Sequence, residues 1–308
     1  MTTSTRKLVL ATLLTFLASL DAQALVFRAY LAADGNDANP CTLVQPCRLL
    51  PAALAAVTPG GEIWMLDSAN YNVATVNVTK SVSILAVPGA VGSVVATGGA
   101  AITVTTDGLV VTLRNLVIAP LPGTGATDGV FVGSTSTVII ENSVLAGLPS
   151  FCVSATGGGR LIVADSVLRS CGTAMTVQNG FLAEINNSRV LHNSNGITVV
   201  STVAGSTRAT VNDTTISGGY TGIHAFANIV GGNSIVAVTR STIHAADYAL
   251  AAETTAGLAT VLVGSTQVHA SGQPWWVNGA GATIRSYVNN QMFGNGAPTG
   301  VLDTIPSQ

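Results

Sequence analysis

Charged and aromatic residues are scarce in this 308-residue sequence. Asp, Glu, Lys and Arg make up 8% of the residues, and Phe, Trp and Tyr make up 5%, whereas charged residues make up about 25% of an ordinary globular domain. Lysine occurs only at Lys7 and Lys80. Because a nucleic-acid-binding surface is built from clustered Lys and Arg, this composition argues against a nucleic-acid partner. Ser, Thr and Asn must therefore supply most of the polar surface.

The first 24 residues have the organisation of a secretory signal peptide. Arg6 and Lys7 precede an apolar run from Leu8 to Leu20, and Ala22-Gln-Ala24 matches the small-x-small cleavage pattern. The apolar run is short for a bilayer span, and no 18-residue apolar run without turn residues follows it. We therefore expect cleavage after Ala24 and a secreted or periplasmic protein without a membrane span.

A short pattern recurs between residues 113 and 286. It begins with an aliphatic residue, followed by a variable residue, then Asn or Asp, and then Ser or Thr. The opening residues are Leu113, Ile140, Val163, Ile185, Val211, Val238, Leu262 and Ile284, which are 22 to 27 positions apart. Five repeats place a second apolar residue twelve positions further on, namely Cys152, Met175, Ile197, Ile223 and Leu250.

A repeat of this length holds two or three short strands with turns between them. Such a unit cannot bury its apolar face alone, so neighbouring repeats must stack. The sequence therefore predicts an all-β, right-handed parallel β-helix in which each repeat is one rung. Leucine-rich repeats, propellers and left-handed β-helices fit less well, because a dense Leu/Asn consensus, a period of about 40 residues and a hexapeptide rhythm are all missing.

The segment 25–61 is expected to close the N-terminal end of this solenoid. Cys41 and Cys47 each follow Pro, and we expect them to form a disulfide in an exported protein. A short helix is predicted over residues 49–57, where it would cover the first rung. The turn at Asp34 and Asp37 lacks EF-hand spacing, so no metal site is predicted there. The β-helix is expected over 62–296 and a tail over 297–308.

Two further residue pairs leave alternatives open. Cys152 and Cys171 either form a second disulfide or are buried as free thiols. Counting along the repeats places Trp275 outward and Trp276 inward, and both are expected to pack in the last rungs or their cap. No cofactor is predicted.

The N-terminal arrangement is similar to that of many exported bacterial β-helix proteins. Its elements are Asp34-Gly-Asn-Asp37, two Pro-Cys pairs, an Ala-rich helix and Pro59-Gly-Gly-Glu-Ile63. Together with the repeats, they resemble the pectate-lyase-like superfamily over the mature chain. The resemblance implies the β-helix fold, and it admits polysaccharide lyases, glycoside hydrolases, phage tailspikes and adhesins. The Asn-Thr-Asp, Asp-Asp and Gly-His-Gly motifs of polygalacturonases are missing.

The third position of the repeat pattern carries the candidate catalytic residues. It is occupied by Asn115, Asn142, Asp165, Asn187, Asp213 and Arg240. Asp165 and Asp213 are two rungs apart, which is about 10 Å for strands spaced about 4.8 Å, and Arg240 would lie beside Asp213 as the partner of a base. The favoured alternative is a structural ladder whose side chains form hydrogen bonds at an inward turn.

A second column combines Arg169, His192, His244 and His269. They follow their opening residues by six or seven positions, so bulges would align them along one edge of the solenoid. This stripe is a candidate site for an anionic sugar or a sulfate group; the favoured alternative is that its members are ordinary exposed turn residues. His224 is expected on the surface.

Three functions fit this sequence. The favoured one is a secreted, non-catalytic β-helix protein that presents its repetitive surface to a polysaccharide or a cell-surface glycan. The second is a polysaccharide lyase or glycoside hydrolase that acts on an extracellular acidic polysaccharide and uses Asp165, Asp213 and Arg240. The third is an adhesin-like structural protein.

Overall fold

The computed structural model describes residues 25–306, and most of them belong to β-strands. The predicted signal peptide, residues 1–24, lies outside the described residues. One helix, α1 (Leu50–Ala56), is found in this range. In chain order the strands are β1 (Val26–Leu31), β2 (Val57–Met65), β3 (Ala69–Asn70), β4 (Val76–Asn77), β5 (Val82–Ala86), β6 (Gly92–Ala96), β7 (Ile102–Val104), β8 (Val110–Arg114), β9 (Leu116–Pro120), β10 (Asp128–Val132), β11 (Thr137–Glu141), β12 (Val144–Ala146), β13 (Phe151–Ala155), β14 (Arg160–Ala164), β15 (Val167–Arg169), β16 (Thr173–Gln178), β17 (Leu182–Asn186), β18 (Arg189–Leu191), β19 (Asn195–Ser201), β20 (Gly205–Asn212), β21 (Thr215–Ser217), β22 (Thr221–Thr239), β23 (Thr242–His244), β24 (Tyr248–Gly264), β25 (Gln267–His269), β26 (Gln273–Asn278), β27 (Ala282–Tyr287), β28 (Gln291–Phe293) and β29 (Leu302–Ile305).

The strands stack into three parallel sheets around a common apolar core. Sheet 1 contains β4, β7, β10, β13, β16, β19, the first halves of β22 and β24, and β26. Sheet 2 contains β1, β2, β5, β8, β11, β14, β17, β20, the second halves of β22 and β24, β27 and β29. Sheet 3 contains β3, β6, β9, β12, β15, β18, β21, β23, β25 and β28. Because the chain enters sheets 1, 2 and 3 in turn, it forms the predicted right-handed parallel β-helix.

The pairing follows the predicted register through six rungs and then departs from it. From Leu113 to Val238, each opening residue lies directly opposite the next one, and all six are buried. In the next rung Val263, and not Leu262, lies opposite Val238. Ile284 then lies opposite Val261, which is one position before its predicted partner Leu262 and two positions before Val263. The predicted register was therefore wrong in the last two rungs.

Helix α1 covers the N-terminal end of the core, as predicted. Pro51 occupies its first turn, where a missing backbone N–H does no harm, and Leu50, Ala53 and Leu54 are buried.

Both candidate disulfides are present: Cys41–Cys47 has a Cα–Cα distance of 4.7 Å, and Cys152–Cys171 has one of 5.7 Å. In residues 25–306, no helix is long and apolar enough to cross a bilayer.

The fourth position of the pattern forms a buried column of hydroxyl groups, which we call the hydroxyl ladder. Its members are Ser143, Ser166, Ser188, Thr214, Ser241 and Thr266. Each hydroxyl donates to the carbonyl two residues earlier, as Ser188 Oγ does to Asn186 O at 2.8 Å. It also accepts the backbone N–H of the equivalent residue one rung earlier, as Ser188 Oγ does from Ser166 N at 3.2 Å. The ladder satisfies buried backbone groups that would otherwise be unpaired.

The third position of the pattern is a left-handed turn. Its residues have φ angles between 46° and 56°, from Asn115 through Asn142, Asp165, Asn187, Asp213 and Arg240 to Ser265. Asn and Asp tolerate this backbone conformation better than other residues with a Cβ, which explains their recurrence. Apart from the half-buried Asn115, these residues are exposed, so this turn faces outward and the expected inward turn was wrong.

Candidate functional site

A groove of about 370 Å³ opens on the outward face of sheet 1, near the C-terminal end of the solenoid. Its lining residues come from four strands of sheet 1, β19, β22, β24 and β26, and from the turn before β22. They are Asn195, Tyr220, Thr221, His224, Tyr248, Glu253 and Trp276. The groove therefore spans four successive rungs.

Strand alternation determines which side chains reach this groove. Ile223 and Ala225 are buried in the core, so His224 between them points outward. The equivalent outward position is Ala251 in the next rung and Trp276 in the rung after that. At the corner before Ile223 stands Gly222, where an added Cβ would lie 2.7 Å from the Ala249 carbonyl oxygen. Only Gly fits at this corner without displacing the backbone of the next rung.

The two tryptophans have the opposite orientations to those expected. Trp275 lies opposite the buried Leu250 and packs against the core, whereas Trp276 lies opposite Ala251 on the outward face. The error follows from the register of the last rungs, because counting began at Leu262 and the equivalent residue is Val263. Trp276 is therefore available to a ligand.

Three aromatic rings form one wall of the groove. The ring centroids of Tyr220 and Tyr248 are 5.1 Å apart with an edge-to-face angle of 79°, and those of Tyr248 and Trp276 are 5.6 Å apart at 47°. Tyr220 is 57% exposed, so part of this wall faces solvent directly. Packing between the rings limits their rotation and keeps the wall in place without a ligand.

A His–carboxylate pair lies beside the aromatic wall. His224 Nε2 is 3.4 Å from Glu253 Oε2, but this nitrogen is buried and makes no hydrogen bond within the described residues. Burial lowers the pKa of His224 below 6.5, and the nearby Glu253 offsets only part of that effect. The imidazole is therefore neutral at pH 7, with the Glu253 carboxylate as its nearest charged neighbour. His224 faces outward as expected, but it is half-buried in the groove and not simply a surface residue.

The outward face of sheet 1 continues from the groove toward the N-terminus. Phe151 occupies the same column as Tyr248, four strands away, which is about 19 Å at about 4.8 Å per strand. In the neighbouring column, Phe131 is followed by Ser154, Thr176 and Thr198 before His224. The face thus carries aromatic side chains at both ends; of the hydroxyl residues between them, Ser154 and Thr176 are buried and Thr198 is half-buried.

The sequence-predicted catalytic residues lie elsewhere, on the turn between sheets 2 and 3. Arg240 donates two hydrogen bonds to Asp213, of 2.9 and 2.8 Å, and this contact lowers the pKa of the Asp213 carboxyl group. Asp165 accepts a hydrogen bond of 2.5 Å from Asn187. All four side chains are exposed. The structure brings Arg240 and Asp213 together, and their catalytic role stays a prediction.

The predicted stripe is partly assembled on sheet 3. Arg169 and His244 share one column, three strands apart, and His269 follows directly. The rings of His244 and His269 stack at 5.2 Å with an interplanar angle of 2°. His192 occupies the next position, in a left-handed turn, and Leu191 takes its place in the column. Burial, together with the nearby His269 and His192, lowers the pKa of His244.

Sequence reasoning missed Phe293 and the whole groove. Phe293 extends the stacked histidines, with its ring centroid 5.0 Å from that of His269. One feature of the sequence could have indicated the groove. Tyr220, Tyr248 and Trp276 follow one another at intervals of 28 residues, which is close to the length of one rung. That signal requires the register of the last rungs, which the repeat pattern did not supply. A ligand role for the stripe stays a prediction.

Comparisons with known proteins agree with this architecture. A family model described as a right-handed β-helix region matches residues 100–268, which is 169 of the 308 residues. The chain belongs to the right-handed β-helix family. A search of curated protein sequences found no significant match to this β-helix protein.

Solved structures resemble this β-helix protein over most of its length. A pectate lyase matches with a TM-score of 0.62 and 14% identity, covering 90% of this chain and 78% of the lyase. An alginate lyase from Paenibacillus sp. str. FPU-7 matches with a TM-score of 0.57 and 15% identity, covering 91% and 100%. A rhamnogalacturonan lyase matches with a TM-score of 0.52 and 13% identity, covering 91% and 86%. At these identities, the likeness establishes the fold.

Proposed function

We propose that this protein binds a polysaccharide along the outward face of sheet 1. The observation that carries the proposal is the wall of Tyr220, Tyr248 and Trp276 beside the half-buried His224–Glu253 pair. Flat aromatic rings pack against the apolar C–H face of a sugar, while a few convergent polar groups orient its hydroxyls. The groove combines both kinds of contact in one concave surface.

The length of the face favours a chain of sugars over a single unit. Phe151 lies about 19 Å from Tyr248 along the same column, and the half-buried Thr198 occupies the neighbouring column between them. A polymer lying parallel to the solenoid axis would contact both aromatic ends. The structural neighbours that act on polysaccharides support this class of ligand. The two disulfides support an extracellular or periplasmic location.

Calorimetry and affinity electrophoresis with a panel of neutral and acidic polysaccharides test the proposal. Trp276→Ala is expected to weaken binding about tenfold or more, because truncating a central aromatic contact removes about 1.4 kcal/mol or more. Trp64→Ala is the matched control, since Trp64 lies on sheet 2 under the Arg28 guanidinium. Circular dichroism verifies that both variants are folded. Equal affinity in wild type and Trp276→Ala would contradict the proposal.

The His224–Glu253 pair favours a second candidate, cleavage of the bound polysaccharide. A neutral imidazole can accept a proton, and the adjacent carboxylate would stabilise the imidazolium that results. Release of unsaturated or reducing ends, lost in His224→Ala, is the expected result for this candidate. Loss of product in Asp213→Ala, with His224→Ala still active, would instead assign the chemistry to the exposed turn.

A further inference from the structure

We infer that the groove on sheet 1 takes a neutral polysaccharide and discriminates against polyuronates. This inference rests on the proposed function and adds the charge class of the ligand. It concerns where the protein places its few charged side chains relative to the groove.

The cationic side chains of the described residues are segregated away from the groove. They lie on sheets 2 and 3, on the adjoining turns and in the N-terminal segment, and they are Arg28, Arg48, Lys80, Arg114, Arg160, Arg169, Arg189, Arg208, Arg240 and Arg285. Among these cationic residues, Lys80 follows a strand of sheet 1, namely β4. Its Nζ donates a hydrogen bond to the Val57 carbonyl. Strand β4 is six strands from β22, about 29 Å at about 4.8 Å per strand.

Several of these cations are also occupied by partners on their own sheets. Arg28 pairs with Glu62 at 2.7 Å on sheet 2. Arg114 pairs with Glu141 at 2.7 Å, also on sheet 2. A polyanion that entered the groove would therefore meet no guanidinium or ammonium group held ready for it within residues 25–306.

The groove itself carries negative charge. Glu253 lines it, and Asp247 directly precedes Tyr248 of the aromatic wall. The neighbouring Tyr248 raises the pKa of Tyr220, and the charges of Asp247 and Glu253 raise it further, so both carboxylates act at this end of the groove.

This charge distribution has opposite consequences for two ligand classes. A uronate carboxylate about 5 Å from one protein carboxylate loses about fourfold in affinity at the dielectric constant of water. Two such neighbours give a loss of more than about tenfold. A neutral sugar avoids this repulsion, and its hydroxyls can donate to the oxygens of Glu253.

The first test compares neutral with anionic polysaccharides and includes esterified polyuronates as charge-neutralised counterparts. The panel contains xylan, galactan, mannan, β-glucan, polygalacturonate, alginate and the fully methyl-esterified forms of the last two. We expect the tightest ligand to be uncharged, its affinity to fall about tenfold in Trp276→Ala, and raising the salt concentration to change that affinity less than about twofold. A polyuronate that binds tightest and is lost in Trp276→Ala would overturn this inference but leave the proposed function intact. No binding by any ligand would overturn the proposed function itself.

The second test adds a cation to the face. Thr198→Lys places an ammonium group in the column between Thr176 and His224, and Thr198→Gln is the uncharged control of similar length. We expect Thr198→Lys to raise the affinity for polygalacturonate about threefold or more over Thr198→Gln, with the gain removed by added salt. Equal polygalacturonate affinity in the two variants would show that the missing cation does not set selectivity, and it would overturn the inference.

Discussion

Replacement of Ser188 by Ala removes one hydroxyl from the middle of the hydroxyl ladder. Ser188 is 2% exposed, so water cannot take over its hydrogen bonds. The backbone N–H of Ser166, which donates to Ser188 Oγ at 3.2 Å, loses its acceptor. The carbonyl of Asn186 loses the Ser188 hydroxyl but keeps a second donor, the backbone N–H of Asp165 at 3.2 Å. The substitution therefore leaves one buried backbone group unpaired.

The expected loss of unfolding free energy follows from this single unpaired backbone N–H group. An unsatisfied buried donor destabilises a protein by about 1–3 kcal/mol, whereas an exposed Ser→Ala change costs less than about 0.5 kcal/mol. Equilibrium urea unfolding, followed by circular dichroism, should show the larger loss for Ser188→Ala. Ser194→Ala is the matched control, because Ser194 is exposed and only six residues away.

A conservative variant and a local measurement sharpen this experiment. Ser188→Thr keeps the hydroxyl, and Thr214 already occupies the next place in the ladder, so we expect it to retain more stability than Ser188→Ala. Hydrogen exchange should show faster exchange of the Ser166 amide in Ser188→Ala alone. Wild-type stability together with an unchanged Ser166 exchange rate would refute the structural role assigned to the ladder.

Three further predictions concern the disulfide, the buried histidine and the stripe. The double variant Cys152→Ala/Cys171→Ala opens a loop with a sequence separation of 19, and urea unfolding should show a loss of about 3 kcal/mol; a loss below about 1 kcal/mol would contradict this. Because the pKa of His224 is lowered in the fold, the unfolded chain binds more protons below pH 6.5, so stability should fall as the pH drops through that value. Calorimetric unfolding temperatures at pH 8 and pH 5.5 should therefore differ less in His224→Gln than in wild type, and an identical difference would argue against a buried neutral imidazole. If the stripe binds anions, Arg169→Ala with His244→Ala should abolish retention of sulfated polysaccharides in electrophoresis, and unchanged retention would remove that role.

The fold was predictable because its signal is local and repeated. An aliphatic residue, an Asx residue and a hydroxyl residue recur wherever a left-handed turn is followed by a buried hydroxyl, as at Asp165 and Ser166. The predicted register was wrong in the last two rungs, where the residue pattern is less distinct. At the end of β24, Gly264 and Ser265 stand at the places of the variable residue and Asx, so the pattern also fitted one position too early.

The groove could not be predicted with the same information. Its wall joins Tyr220, Tyr248 and Trp276, and a one-residue change of register moves a side chain to the opposite face of a strand. The pairing of Cys152 with Cys171 was undecidable for a related reason. It depends on a Cα–Cα distance of 5.7 Å between different elements, which spacing along the chain does not report.

Because the hydroxyl ladder repeats the same contacts in every rung, one rung can be removed or added without changing the type of contact its neighbours make. Excision of residues 185–210 would remove one complete turn of the chain and leave Asp213 and Ser166 with neighbours of the same type as before. The distance from Phe151 to Tyr248 would shrink by about 4.8 Å, while the aromatic wall stayed whole. Gain or loss of whole turns can thus lengthen or shorten the surface offered to a polymer in fixed increments, with no new design of the interior.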